Sequence, residues 1–190
     1  MDTTLVFNTR KWVIFTFMGW VTGVILIILA GHQSLLGLYM GLGVGLLQWN
    51  YLRKFPGFGP AWLWTSVAGM GLPFLVIGLI PGNAIPFSMI TSIALGTFCI
   101  SILQFALLKR ISGKARFWII SCMSGWLLGI GVVFLIDFTS RYKSDISVLL
   151  LALVNLVLIL AGGVVLGYIT GAGMKKILQT GSQGVPATGT

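Results

Sequence analysis

GLYMGLGVGLLQWNYLRK, residues 37–54, decides how this chain is read. Gly37, Gly41, Gly45 and Gln48 share one helical face, because residues about four apart stack one above another. The stripe runs into Gln48, Trp49, Arg53 and Lys54, the order in which a membrane helix passes from hydrocarbon to headgroups. The same order returns as Thr97, Ser101, Gln104 and Lys109, and again as Gly163, Gly167, Thr170 and Lys175. Each stripe is preceded by a second apolar segment that opens on Trp, with Gly seven residues later and Trp or Met beside it. These are Trp12/Gly19/Trp20, Trp62/Gly69/Met70 and Trp118/Gly125/Trp126.

The pattern predicts an all-α fold, a six-transmembrane-helix bundle built from three sequential helical hairpins in parallel orientation (about 12–54, 61–110 and 117–176). A repeated two-helix unit keeps its direction, so its copies can surround an axis along the bilayer normal. Composition agrees: 57% of the chain is hydrophobic, 8% is charged and the mean hydropathy is +1.02. A soluble domain of 190 residues has no means of hiding that much apolar surface. Stretches of about 20 apolar residues match a hydrocarbon layer of roughly 30 Å. Six such spans are expected, at 12–31, 34–52, 61–80, 87–108, 117–136 and 146–171, in one domain over 1–178. Residues 179–190, rich in Gly, Ser, Thr and Pro, read as a flexible cytoplasmic tail.

Short loops rich in Lys and Arg stay in the cytoplasm. Ten of the twelve cations fall at one end: Arg10, Lys11, Arg53, Lys54, Lys109, Arg110, Lys114, Arg116, Lys175 and Lys176. Only Arg141 and Lys143 fall at the other, near Asp137 and Asp145. Six spans with both termini cytoplasmic follow. The cations serve as topology determinants that also attract anionic lipid. The net charge of +9 is not a nucleic-acid signature, because it is spread over membrane edges without a stacking platform. Trp12, Trp49, Trp62, Trp64 and Trp118 are expected at the cytoplasmic border as an aromatic belt.

Small residues at this spacing let helix backbones approach closely, so the second, fourth and sixth helices are expected to form an inner layer. Gln48, Gln104 and Thr170 would then meet across the axis as a polar cluster. It would act as a packing clasp or a ligand site, with Asn155 the polar residue deeper in the sixth helix. Pro73 stands where the other copies carry Gly23 and Gly129, a break that can open a lateral cleft in the third helix. Trp20 and Trp126 fill the gaps beside their glycines or line a pigment or quinone pocket. Cys99 and Cys122 lie within spans and read as packing residues, and His32, the sole histidine, as a loop residue. No metal-ligand spacing is present, mid-span acids are absent and no enzyme activity or cofactor is expected.

The segments GVGLLQWNYLRK, AWLW, SILQFALLKR and ARFWIISCMSGW resemble a group of bacterial polytopic membrane proteins with a repeated GxxxGxxQWxxLR motif followed by AxWW and a later GW. The resemblance covers about residues 37–130, with an echo in GGVVLGYITGAGMKK, where Thr170 takes the Gln position. It implies the repeated-hairpin fold and no particular activity. The function expected is that of a non-enzymatic accessory, assembly or scaffold subunit in contact with membrane lipids and other membrane protein subunits. A small-solute transporter or channel along the pseudo-threefold axis is the alternative. Binding of a lipid, quinone or pigment between helices is the third reading.

Overall fold

The computed structural model describes residues 6–80, 88–140 and 147–181. Its elements are α1 (Thr9–Ala30), a single 3-10 turn (Gln33–Leu35), α2 (Leu36–Leu52), α3 (Ala61–Gly78), α4 (Ser88–Leu108), α5 (Arg116–Ser140) and α6 (Val148–Gly181). There is no strand among the described residues. Local chemistry sets several ends. Asn8 is extended and its side chain accepts from the Lys11 N–H at 3.1 Å, a capping bond that starts α1 ahead of Trp12. Gly31 closes the helix at φ 66°, left-handed, with its N–H returned to the Ile27 carbonyl at 3.0 Å. Pro60 precedes α3, where its missing N–H costs no helical bond.

Among the described residues four helices are long and apolar enough to cross a membrane: Thr9–Ala30, Ala61–Gly78, Met89–Leu108 and Val148–Gln179. Arg116–Val132 is a shorter apolar helix, and α2 has 17 residues. The chain is thus a helical membrane protein by length and composition. Helix α6 runs to Gly181, two residues past the expected start of the tail at Gln179, and Met174 and Ile177 ahead of that point are buried. The rest of the tail (182–190), the expected start of the fourth span at Phe87 and of the sixth at Ile146, and the loop carrying Arg141, Lys143 and Asp145 lie outside the described residues. So does the Asp137 side chain.

Each helix packs on its neighbour in the chain, and α6 returns against α1, so the six close into a ring. The expected inner layer of α2, α4 and α6 is not formed. Their stripes turn sideways, each onto the next odd-numbered helix. A methyl group added at Gly41 would lie 2.5 Å from the Ser66 carbonyl oxygen of α3, and one at Gly45 2.5 Å from Ser66 Cβ. At Gly37 it would strike Met70 and Phe74. On α6, Gly163 faces Trp20 and Gly167 faces Val13 and Thr16 of α1. On α4, Gln104 reaches α5, while Thr97 and Ser101 are buried and return their hydroxyls to the Ile93 and Thr97 carbonyls. The physical reason is side-chain size: the Trp-bearing odd helices need the axis for their rings, and small stripes on the even helices give them room.

Candidate functional site

Three indoles fill the axis at the basic end. Trp12, Trp62 and Trp118 open α1, α3 and α5, and they meet edge to face with ring centroids 5.3–6.4 Å apart, a favoured aromatic geometry. All three are at most 1% exposed, so they are not belt residues. Trp64, at 64% exposed, does face outward.

Each indole N–H is tied to an even helix. Trp62 donates to Gln48 Oε1 at 3.3 Å, Trp118 to Gln104 Oε1 at 3.0 Å, and Trp12 to Thr170 Oγ1 at 3.0 Å. The amides complete the pattern within their own hairpins: Gln48 Nε2 donates to Thr16 Oγ1 at 3.1 Å, and Gln104 Nε2 to Ser66 Oγ at 2.9 Å. Thr170 has no amide to offer, and its hydroxyl donates to the Leu166 carbonyl at 2.6 Å. The position corresponding to Thr16 and Ser66 in α5 is Cys122, whose Sγ lies 3.7 Å from Gln104 Oε1. Cys99 and Cys122 are both free thiols.

The three expected polar residues therefore do not touch one another across the axis; the indoles stand between them. Asn155 does not join them, since it lies fifteen residues before Thr170 on α6, about 22 Å away at 1.5 Å per residue. Thr16 and Ser66 were absent from the sequence-based site. The signal for them is a small polar residue four positions after each opening Trp.

The cations surround the same end. Arg53, Lys54, Lys109, Arg110, Lys114, Arg116, Lys175 and Lys176 are all exposed, with Lys176 Nζ 3.7 Å above the centre of the Phe117 ring. Contacts across this end hold the termini of the helices together. The Asn8 N–H donates to Tyr51 Oη at 2.9 Å, and Ser112 Oγ donates to the Ile177 carbonyl at 3.2 Å.

Farther along the axis, Trp20, Met70 and Trp126 form a second layer, with Trp20 and Trp126 centroids 6.0 Å apart. Trp20 spends its N–H on the Ile159 carbonyl at 2.9 Å. Beyond this layer the packing opens into a cavity of about 200 Å³. All six helices line it: Trp20, Val24 and Ile27 from α1, Leu36 and Met40 from α2, Met70, Met89 and Ile93, then Ile130 and Ile159. Its wall is aliphatic, thioether and indole. Beside it lies a cleft of about 270 Å³ lined by Ser34, Leu36, Phe74, Ile77, Gly78, Met89 and Ser92, where the turns of α3 after Pro73 face the 3-10 turn and the start of α4. His32 is exposed near this end.

No protein family, curated protein or solved structure matches this chain. Among the described residues no group of three or more His, Cys, Asp or Glu is placed to hold a metal ion.

Proposed function

We propose that this chain is a non-enzymatic integral membrane protein that retains an apolar molecule in the far half of a six-helix ring whose basic half is shut. The observation that carries this reading is the cavity of about 200 Å³ to which every helix contributes apolar surface. An apolar cavity of roughly 150 Å³ stays dry and takes up benzene or xenon. Within a bilayer the filler at hand is hydrocarbon, which restores the dispersion contacts an empty wall forgoes. Ligand retention thus moves ahead of the scaffold subunit, whose support is the short loops and aliphatic outer surface. Solute passage along the axis has three interlocked indoles against it, and every buried polar side chain among the described residues is uncharged.

The recurring Trp-to-polar bond supports reading the helices as three parallel hairpin repeats crossing the membrane six times, in keeping with the resemblance to the GxxxGxxQWxxLR group. The ten cations at one end support cytoplasmic termini and contact with anionic lipid. Neither a nucleic-acid partner nor a catalytic cofactor enters this reading.

Protein purified in mild detergent is expected to release an apolar molecule on organic extraction, identified by mass spectrometry. Ile93→Trp, which fills the cavity from α4, is expected to abolish that load while the variant still unfolds cooperatively. Equal loads in the two proteins would sink the proposal.

A further inference from the structure

The cavity does not stand alone. Leu36 and Met89 wall both it and the neighbouring cleft, so the two voids adjoin across a pair of shared side chains. Their chemistry differs: among the described residues the cavity wall is apolar, whereas Ser34 and Ser92 line the cleft. Ser34, in the 3-10 turn, is exposed at the mouth, and Ser92, one turn into α4, is 3% exposed. The cleft lies where the helices end, and the cavity reaches inward to Trp20. That residue is ten positions inside the end of α1, about 15 Å at 1.5 Å per residue. Polar at the helix ends and apolar toward the middle is the order in which a lipid stands in one leaflet. Among the described residues no charged side chain lines either void. That lining offers an ionic headgroup no countercharge, whereas its two hydroxyls can pair with a neutral head.

Resting on the ligand-retention reading, we infer that cleft and cavity are the two halves of one site for a single-chain amphiphile with a neutral, hydroxyl-bearing head, of the monoacylglycerol class. The chain lies in the cavity, above Trp20 and Met70. The head lies in the cleft, where its hydroxyls exchange hydrogen bonds with Ser34 and Ser92. A serine hydroxyl has one donor and two acceptor sites, so Ser92 can accept from a ligand while keeping the interaction it already has. Access is lateral, between the 3-10 turn and the first turns of α4, past the stretch of α3 that follows Pro73.

The test uses the full chain, delipidated in detergent, and three probes with the same diazirine-tipped chain: a monoacylglycerol, a headless alkane and a lysophosphatidylglycerol. Photolabelled residues are located by peptide mass spectrometry. The monoacylglycerol is expected to label cavity residues such as Met70 and Ile93, and to do so at the lowest concentration of the three. In the Ser34→Ala/Ser92→Ala variant its half-saturating concentration should rise roughly tenfold, the scale of losing hydrogen bonds to a neutral ligand, while the alkane is unaffected. If alkane and monoacylglycerol label equally and the serine changes alter neither, the head site is overturned and the apolar cavity stands. Preference for the anionic probe overturns the neutral head. Failure of every probe to label the cavity overturns both this inference and the retention reading beneath it. Ile93→Trp checks that the labelling depends on the void, since it leaves both serines in place.

Discussion

The basic half and the far half of the ring are built from the same six helices, yet one is filled and the other is hollow. In the basic half the three copies agree closely. The opening Trp is present each time, and its N–H always finds an oxygen one helix away, at Gln48, Gln104 or Thr170. Eight residues farther on the copies diverge: Trp20 and Trp126 are matched by Met70. One turn beyond that, Gly23 and Gly129 are matched by Pro73. A thioether in place of an indole leaves volume unfilled, and Met70 lines the cavity that results. Regular repetition closes an axis; a departure from it at one copy opens a pocket.

The largest effect expected on this contrast comes from Trp62→Ala. It removes the indole that touches both other rings and the Gln48 bond, and should destabilise the fold by about 3–5 kcal/mol, as large aromatic truncations in cores do. Unfolding in a detergent titration measures it; a cost as small as that of a cavity-wall change would erase the distinction between the halves. Next, Gln104→Leu strands the Trp118 N–H and removes a donor to Ser66, whose hydroxyl keeps its bond to the Trp62 carbonyl, at an expected cost of about 1–3 kcal/mol in the same assay. Thr170→Ser, which keeps a hydroxyl for Trp12, should cost less than about 1 kcal/mol, and a loss equal to that of Gln104→Leu would deny the acceptor its role. Smallest in stability is Met70→Trp. It completes the second layer in the manner of Trp20 and Trp126 and fills part of the void, so it should change stability by under about 1 kcal/mol, less than Thr170→Ser, while reducing the extractable ligand.

Much of this was legible in the residues. The all-helical architecture and, among the described residues, four helices long enough to cross a membrane follow from unbroken apolar runs, because these depend on local pattern. The direction of the glycine stripes was not legible. Small residues announce that a helix is approached closely and say nothing about which neighbour comes, and here it was the bulk of Trp12, Trp62 and Trp118 that excluded an even-helix core. Their burial could be inferred from the chain itself: Trp12, Thr16, Gly19 and Trp20 share one face, and a belt indole has no need of a small polar residue one turn along. The cavity had only an indirect signal, the pair of substitutions at Met70 and Pro73.

The bond between Trp12 and Thr170 joins residues 158 positions apart. At about 5–20 residues per second of synthesis, the first helix waits roughly 8–30 s for its last partner. Until then a seam of unshielded indole and glycine faces the bilayer, so the final segment acts as a keystone. A chain stopped short of it would present that seam to membrane proteases, and survival of the nascent protein would depend on how soon its carboxyl-terminal helix inserts.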